Sequence, residues 1–201
     1  ERVSGLFSRG SAVDGEVRTG HPSNHEGWDW WGPSTAAGLA APSVEGSLAL
    51  PAVFACVRVL SETIASLPLN VYRRTATGGR GKALEHPLFE LLHNAPNPEQ
   101  TSFEFRELIV SHAAAWGNGF AEIDWTQGGR VKALWPLRPD RMQWKRRNGE
   151  VFYLYTKNNG GQEELRWWQV MHVRGLGGDG MMGYSPVRMA MVAVSLGLAT
   201  E

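Results

Sequence analysis

The glycines between Gly175 and Gly180 are spaced as they are in nucleotide-binding loops. The segment reads GLGGDG, which fits the dinucleotide fingerprint G-x-G-x-x-G, and it follows a predicted strand. In that motif the third glycine opens a helix whose N-terminus faces the pyrophosphate, within a βαβ unit. Here the first helix-start signal is Ser185, and no βαβ pattern is present. A nucleotide-binding enzyme that uses Gly175–Gly180 is therefore kept as an alternative and not as the main interpretation.

Acidic, histidine and cysteine side chains do not combine into a catalytic or metal-binding set. Glu122 and Asp124 are two positions apart on a predicted strand, so they face the same side, as solvated pairs often do. Cys56 lies on a helix that we predict to be buried, where a thiol is inert. Of the six histidines only His21 and His25 are close in sequence, and no cysteine pair is near them. We therefore predict no catalytic residue, no cofactor and no metal site.

A basic strip over residues 138–147 is the remaining candidate for ligand contact. On a strand, Arg141, Lys145 and Arg147 share one face, and Arg146 takes the other. Such a strip can contact phosphates without reading a base sequence, or it can protect a hairpin edge that meets solvent or another subunit. The edge interpretation is favoured, and a module for single-stranded nucleic acid on the Arg141–Tyr155 hairpin stays open as an alternative. The basic strip consists of Arg138, Arg141, Lys145, Arg146 and Arg147.

Three tryptophans lie in the first 47 residues, which are rich in glycine, serine, proline and alanine and show no sustained hydrophobic period. They are Trp28, Trp30 and Trp31, in the sequence GWDWWGP. We predict a flexible arm over residues 1–47. Because each indole carries a large apolar area, the cluster needs a surface to pack on. It either folds back on its own domain or docks on a neighbouring subunit, and both interpretations stay open.

The elements that would position these residues begin with Leu48–Arg74. Val53, Val57, Leu60 and Ile64 recur at steps of four, three and four, which predicts a helix, and Pro68 ends it. The apolar face is wide, so we predict a helix that is buried on more than one side and then turns into a short strand.

Further helices and hairpins follow from local signals. Thr101 and Glu104 form a capping box, and Gly117 is placed to end the helix that they begin. Alternating residues on either side of Asn148-Gly149 predict a hairpin, and a second hairpin is predicted around Gly128. Helices followed by a run of antiparallel strands and then a helix indicate an α+β fold, with helices packed on short antiparallel strands and hairpins.

Composition excludes several classes of protein. The chain has 201 residues, 42% of them hydrophobic, which is ordinary for a globular domain. Twenty basic and twenty acidic residues cancel, so no overall charge favours nucleic acid or an anionic membrane. One cysteine permits no internal disulfide and fits a reducing compartment. We predict no membrane span and no signal peptide.

Four segments, in this order, resemble the portal proteins of tailed double-stranded DNA phages and of related phage-like particles. They are AVFACVRVLSETIASLPLNVYRR, HPLFELLHNAPNPEQTSFEFRELIVSHAAAWGNGFAEI, LWPLRPDRMQWKRRNGEVFYLY and HVRGLGGDGMMGYSPVRMA. The last contains a portal-like D-G-x-x-G-x-S-P, formed by Asp179, Gly180, Gly183, Ser185 and Pro186. The resemblance runs from about Ala49 to Glu201.

The resemblance implies a structural role without enzymatic activity. It implies a homo-oligomeric ring, typically of twelve subunits, at one vertex of a capsid, which conducts DNA during packaging and ejection. Implied partners are the terminase large subunit, the major capsid protein, a head–tail connector (adaptor) protein and double-stranded DNA, with no membrane. The implied location is the virion, after assembly in the host cytoplasm. In such a ring the basic strip and the tryptophans of the arm are candidates for intersubunit or DNA-backbone contacts.

The resemblance also implies a domain organisation. Residues 1–47 are expected to be the arm, and residues 48–201 a portal wing-like α+β domain. Apolar residues recur at helical spacing after Ser185-Pro186 up to the end of the chain, so we expect a long helix that is truncated at Glu201. The family's stem and clip are expected to follow that point.

Overall fold

Two antiparallel sheets and two stacked helices form the folded part of the protein, as seen in a computed structural model. The structure describes residues 18–20, 43–76, 78–177 and 180–200. The helices are α1 (Val44–Ser47), α2 (Pro51–Ser66), α3 (Pro87–Phe89, continued by a π-helical turn over Glu90–Asn94), α4 (Ser102–Trp116), α5 (Pro186–Met189) and α6 (Met191–Thr200). The strands are β1 (Arg18–Gly20), β2 (Tyr72–Arg74), β3 (Arg80–Lys82), β4 (Asn118–Trp125), β5 (Val131–Leu137), β6 (Met142–Arg147), β7 (Glu150–Thr156), β8 (Gln162–Arg166) and β9 (Val170–Arg174).

All described strand pairs are antiparallel. One sheet has the order β5-β4-β9, a second has the order β1-β6-β7-β8, and β2 and β3 form a separate hairpin. Short 3₁₀ turns, Pro139–Arg141 and Trp167–Gln169, carry the chain from one larger sheet to the other. The predicted α+β fold is confirmed.

The three-stranded sheet is the middle layer, and its two faces pack on different partners. On one face, Phe105 and Ile109 of α4 pack with Ala121 of β4 and Leu134 of β5. On the other face, Phe120 of β4 packs with residues of the four-stranded sheet: Met142, Tyr153 and Leu165. This alternation follows from the period of two along β4, because neighbouring side chains point to opposite faces.

Local sequence signals fix several element ends as predicted. The Thr101 hydroxyl accepts a hydrogen bond from the Glu104 amide while the Glu104 carboxylate accepts one from the Thr101 amide, so the capping box begins α4. Gly117 ends α4 in the left-handed region, with φ 78°. Asn148 and Gly149, with φ 52° and 84°, form the tight turn between β6 and β7.

The prediction that α2 is buried on more than one side is wrong. Only Ser61 and Ala65 of this helix are buried, and they face α4. These small side chains let the two helices approach closely. The large apolar residues lie on the other side of α2 and face outwards; Leu60, for example, is 53% exposed. Cys56, predicted to be sequestered, is exposed.

The helix predicted after Ser185 begins as expected but is interrupted. Ser185 caps α5, and Ala190, with φ −92° and ψ 16°, leaves the helical region before α6 begins. In the first 47 residues the described parts are β1, which pairs with β6, and α1; the remainder of the predicted arm lies outside the described residues. Among the helices described, none is long and apolar enough to cross a membrane.

Candidate functional site

The glycine-rich segment meets the end of α4 in a backbone crossing. The Gly175 amide donates a 2.8 Å hydrogen bond to the Gly117 carbonyl, and the Tyr184 amide donates to the Leu176 carbonyl. A Cβ atom on Gly183 would overlap the Gly117 carbonyl oxygen, and one on Gly117 would overlap the Tyr184 carbonyl. We call this arrangement of Gly117, Gly175 and Gly183 the glycine junction. Its glycines allow three backbone segments to touch.

Asn118 locks the glycine junction from inside the protein. Its side chain is fully buried, and its amide group binds both polar groups of the Gly183 backbone. Asn118 Nδ2 donates to the Gly183 carbonyl at 2.9 Å, and Asn118 Oδ1 accepts from the Gly183 amide at 2.8 Å. This pairing determines which end of the side-chain amide is oxygen, because only the oxygen can accept from the amide N–H.

His172 and Tyr153 extend the network to the four-stranded sheet. His172 Nε2 lies 2.9 Å from Asn118 Oδ1, and its Nδ1 lies 3.1 Å from the Tyr153 hydroxyl. Since Asn118 Oδ1 can only accept, Nε2 carries the proton and Nδ1 accepts from Tyr153. Burial, assisted by the nearby Arg174 charge, lowers the pKa of His172 to about 3. The imidazole is therefore neutral at physiological pH and acts as a fixed relay of hydrogen bonds.

Beyond the glycine junction, Ser185 sets the start of α5. Its hydroxyl donates to the Ala115 carbonyl at 2.7 Å and accepts from the Arg188 amide. The D-G-x-x-G-x-S-P motif thus anchors a helix start onto the end of α4; its Asp179 lies outside the described residues. The segment is not part of a βαβ unit, because β9 runs antiparallel to β4. This geometry disfavours the dinucleotide interpretation, which requires parallel strands and a helix start at the third glycine.

The basic strip is divided between a turn and a strand. Arg141 ends a 3₁₀ turn, so it does not share a strand face with Lys145 and Arg147 as predicted. Arg138 pairs with Asp140 at 2.9 Å and with Glu45 at 3.0 Å. Arg141 is held by the Asn158 side chain.

The three residues of the strip that lie on β6 have different surroundings. The Arg147 guanidinium stacks over the Phe152 ring, 4.6 Å from its centroid, and lies 3.4 Å from Glu164. Arg146, on the opposite face, approaches the sulfur of Met181. Within the described residues, no carboxylate pairs with Lys145 or Arg146. In the described part of the chain, carboxylates therefore balance the charges of Arg138 and Arg147, and those of Arg141, Lys145 and Arg146 have no such partner.

The other side chains singled out in the sequence do not form a reactive set in the described residues. Asp124 pairs with Lys132 at 2.9 Å. The pKa of Glu122 is raised, first by burial and then by the charges of Glu163 and Asp124. Among the described residues, no three His, Cys, Asp or Glu side chains lie together as a metal site requires. Trp28, Trp30 and Trp31 lie outside the described residues.

Sequence reasoning missed two exposed surfaces. One is the outer side of α2 with the β2–β3 hairpin, and the other is a group of tryptophans, Trp125, Trp167 and Trp168. The Trp167-Trp168 pair lies in a turn between two short strands, where large apolar residues are hard to bury. That position in the sequence could have indicated that both tryptophans are exposed. For α2 there was no such signal. The hydrophobic period shows that one face of the helix is apolar, but it does not show whether another part of the protein covers that face.

Comparison with known proteins identifies relatives of the chain. The sequence profile described as "Phage portal protein" matches residues 51–201. The portal protein of Enterobacteria phage HK97 is 31% identical over 174 residues, which are 85% of this chain and 41% of that protein. A protein named as a probable portal protein in Streptomyces phage phiC31 is 31% identical over 214 residues, covering 98% of this chain and 45% of its own length. The chain therefore spans less than half the length of these curated relatives.

The fold also has solved counterparts. One is a chain from the neck of an empty gene transfer agent particle, whose structure was computed with C6 symmetry. It superposes with a TM-score of 0.65 and 25% identity, covering 82% of this chain and 48% of that chain. The similarity therefore extends along most of the chain and is not confined to one motif.

Proposed function

The chain belongs to the phage portal protein family, and from this we propose that it is part of a structural subunit of a ring-shaped portal at one vertex of a capsid. The subunit would form the conduit through which DNA enters during packaging and leaves during ejection. It would dock the terminase large subunit, the major capsid protein and a head–tail connector protein. It would be found in the virion after assembly in the host cytoplasm, and it would carry no catalytic activity of its own.

The observation that carries the proposal is the family match over residues 51–201, together with a fold shared along most of the chain. The C6 symmetry of the particle neck that holds the structural relative supports a ring. A ring of twelve, as the resemblance implies, would contain that symmetry. Closed rings of identical subunits require a heterologous interface that repeats around an axis.

Within such a subunit, the described residues would serve as a rigid platform. The glycine junction and the Asn118 network fix the start of α5 on the end of α4, and α6 lies against Leu50 at Gly197, so the C-terminal helices have a fixed place on the platform. Intersubunit or DNA-backbone contacts are proposed for the basic strip and for Trp28, Trp30 and Trp31. Lys145 and Arg146 are the members of the strip best suited to them, because no described carboxylate pairs with them and no side-chain amide holds them as Asn158 holds Arg141.

Native mass spectrometry of the full-length protein tests the proposal, with negative-stain electron microscopy as a second readout. We expect a closed ring of about twelve subunits. A protein that remains strictly monomeric across the accessible concentration range would contradict the proposal. Saturable heat on titration with a common dinucleotide would instead favour the enzyme alternative based on Gly175–Gly180.

A further inference from the structure

The outer side of α2 forms an exposed apolar surface. Leu60, Ile64 and Leu67 are 53%, 46% and 62% exposed, and the stripe continues after the helix through Leu69 and Tyr72. Single exposed leucines are common, but a contiguous series on one side of a helix marks an interaction site. Cys56 lies on the same side of the helix and is also exposed.

A cationic hairpin continues this surface. In the register of β2 and β3, Arg74 lies directly opposite Arg80, and Tyr72 lies opposite Lys82. All four side chains therefore share one face of the hairpin. Arg73 points to the other face, where it pairs with Glu85. Like charges directly opposite each other destabilise a strand pair, so this face gains from a partner that brings carboxylates.

A tryptophan surface lies at the end of the three-stranded sheet. Trp125, Trp167 and Trp168 are 39%, 63% and 47% exposed, and the rings of Trp125 and Trp168 are 6.4 Å apart in an edge-to-face arrangement. Glu122 and Asp124 precede Trp125 on the same strand, and Glu122 forms no ion pair with any described residue. The raised pKa of Glu122 has burial as its first cause and neighbouring carboxylates next. Because Asp124 is already paired with Lys132, Glu122 is the carboxylate of this surface that is left to pair with a cation from another subunit.

We propose that adjacent subunits of the portal ring contact each other through these two surfaces, the α2–hairpin surface of one subunit packing on the tryptophan surface of the next. The first surface comprises Leu60, Ile64, Leu67, Leu69, Tyr72, Arg74, Arg80 and Lys82, and the second Glu122, Asp124, Trp125, Trp167 and Trp168. The proposal rests on the proposed function, because it assumes a ring.

The arrangement of the layers supports this choice of partner. A ring needs two different surfaces on each subunit, and they must not be one continuous patch. Here α4 packs against α2 on one side and against the three-stranded sheet on the other. The tryptophans lie at the end of that sheet, so a helix layer separates the two surfaces.

The chemistry of the two surfaces is complementary. Leucine and isoleucine side chains on one surface meet exposed indoles on the other, which removes apolar area from water. Guanidinium groups pack well on the faces of tryptophan rings, and the Glu122 carboxylate beside the rings would pair with one positive charge of the hairpin. Tryptophan and arginine are the residues that most often dominate interface energies.

The first test uses Cys56, the single native cysteine. A second cysteine is introduced as Gln127→Cys, in the exposed turn next to Trp125, so that all three tryptophans remain. Treatment of assembled rings with a short bismaleimide is expected to give a ladder of covalently linked multimers on denaturing gels. The matched control, Glu99→Cys, places an exposed cysteine on neither surface and should give no ladder.

The possible outcomes separate this inference from the proposed function. Rings of Gln127→Cys protein that stay uncrosslinked, or that crosslink no better than the Glu99→Cys control, overturn the interface and leave the portal role standing. A wild-type protein that forms no ring overturns the portal role itself. Crosslinking only within one chain would show that another part of the same chain covers α2, and would also overturn the interface.

The second test changes the charge of the hairpin. Arg74→Glu combined with Arg80→Glu is expected to lower ring assembly at least tenfold at a fixed concentration, measured by native mass spectrometry. Arg74→Lys with Arg80→Lys preserves the charge and should assemble within about twofold of wild type. Unchanged assembly of the glutamate variant would refute the interface. If that variant assembles as wild type does but binds double-stranded DNA more weakly, the hairpin contacts DNA instead, which also refutes the interface.

Discussion

Asn118 is the residue that decides how the glycine-rich segment is held. It is fully buried, and its side chain makes hydrogen bonds to the Gly183 backbone, to the Trp116 carbonyl and to His172. A buried polar group that loses its partners costs more than the hydrogen bond itself contributes, because it was desolvated on folding.

Asn118→Ala should therefore destabilise the protein strongly. We expect the free energy of unfolding to fall by about 2–4 kcal/mol, since several buried groups lose their partner at once. Urea denaturation of the purified protein measures this. Asn94→Ala, an exposed asparagine bonded to Glu90, is the control and should change stability by less than about 0.5 kcal/mol. Equal effects for the two variants would show that the network does not stabilise the fold.

Gly183→Ala tests the backbone crossing directly. The added Cβ would overlap the Gly117 carbonyl oxygen, and backbone atoms must move to accept it. We expect a loss of about 2–3 kcal/mol or failure to fold. Gly128→Ala, where the nearest atom to a new Cβ is a threonine oxygen at 4.0 Å, should change stability by about 0.5 kcal/mol or less in either direction. A tolerated Gly183→Ala would contradict the close approach.

Two buried histidines make stability depend on pH. Burial lowers the pKa of His172 to about 3 and that of His112 to about 4, both from an ordinary value of 6.5. Between the folded and the unfolded pKa of each histidine, the unfolded chain binds a proton that the folded protein does not. The contribution of each histidine to stability is therefore complete above pH 6.5 and is lost as the pH falls towards its folded pKa. The slope should reach about 1.4 kcal/mol per pH unit for each histidine. Urea denaturation across this range measures it.

His172→Gln is the matched variant for the pH dependence. It removes one titrating group, so the slope between neutral and acidic pH should decrease, whatever happens to the absolute stability. His172 would be excluded as a source of the pH dependence if the variant kept the wild-type slope.

Sequence reasoning at the residue scale found the groups whose role is local. Gly117 as a helix end and Ser185 as a cap depend on neighbours within four positions, and both were predicted. Asn118, Tyr153 and His172 lie on three strands that are far apart in the sequence, so no local pattern marks them. Each looks ordinary in its own segment. The pairing of β4 with β9 brings Asn118 to His172, and the packing of the two sheets adds Tyr153.

At the scale of elements, α4 shows how local signals and packing combine. Its capping box begins it, Gly117 ends it, and its two sides contact α2 and the three-stranded sheet. Local signals therefore set the two ends of α4, and its packing between α2 and the three-stranded sheet sets its place in the fold.

Thr101→Ala should weaken α4 at its start. Loss of an N-cap hydroxyl typically costs about 1 kcal/mol, and here the hydroxyl's own hydrogen bond to the Glu104 carboxylate is lost with it, whereas the backbone amide of residue 101 keeps its bond to that carboxylate. Thermal or urea denaturation measures the change. Thr63→Ala, an exposed threonine in α2, is the control and should be neutral or slightly stabilising. The capping box contributes nothing measurable if both alanine variants unfold at the same point.

The bounds of α2 were predicted within a residue or two, and its environment was not. Proline near the start and proline after the end are local signals with a steric cause. Which side of the helix faces α4 depends on the match of Ser61 and Ala65 to the α4 surface. The sequence of an apolar stripe is the same whether its own domain or another subunit covers it, so the sequence does not distinguish the two cases.

At the scale of the whole molecule, Phe120 joins the two larger sheets. It is fully buried, stacks on His172 with ring centroids 4.3 Å apart, and meets Tyr153 edge-on. The α+β class followed from the order of elements along the sequence. The stacking of one sheet on the other did not, because it depends on which face of each hairpin is apolar.

Phe120→Ala should uncouple the sheets. We expect a loss of about 3–5 kcal/mol, because a large side chain is removed from a fully packed site. Far-UV circular dichroism and tryptophan fluorescence should be followed together in urea. Phe103→Ala, which removes a phenylalanine that is 41% exposed, is the control and should cost clearly less. Similar losses for both would mean that Phe120 does not join the sheets.

The two ends of the glycine-rich loop are tied to the rest of the protein by separate backbone bonds, from Gly175 to Gly117 and from Tyr184 to Leu176. Gly180 lies between these two bonds, is exposed and takes no part in the glycine junction, so we infer that its backbone is not needed to place α5. Lengthening a loop whose ends are already fixed costs only slowly growing closure entropy, about 0.6 kcal/mol per doubling. A short epitope or a fluorophore-binding peptide inserted after Gly180 should leave the folded part intact and provide a handle for following, under the microscope, the ring that we propose.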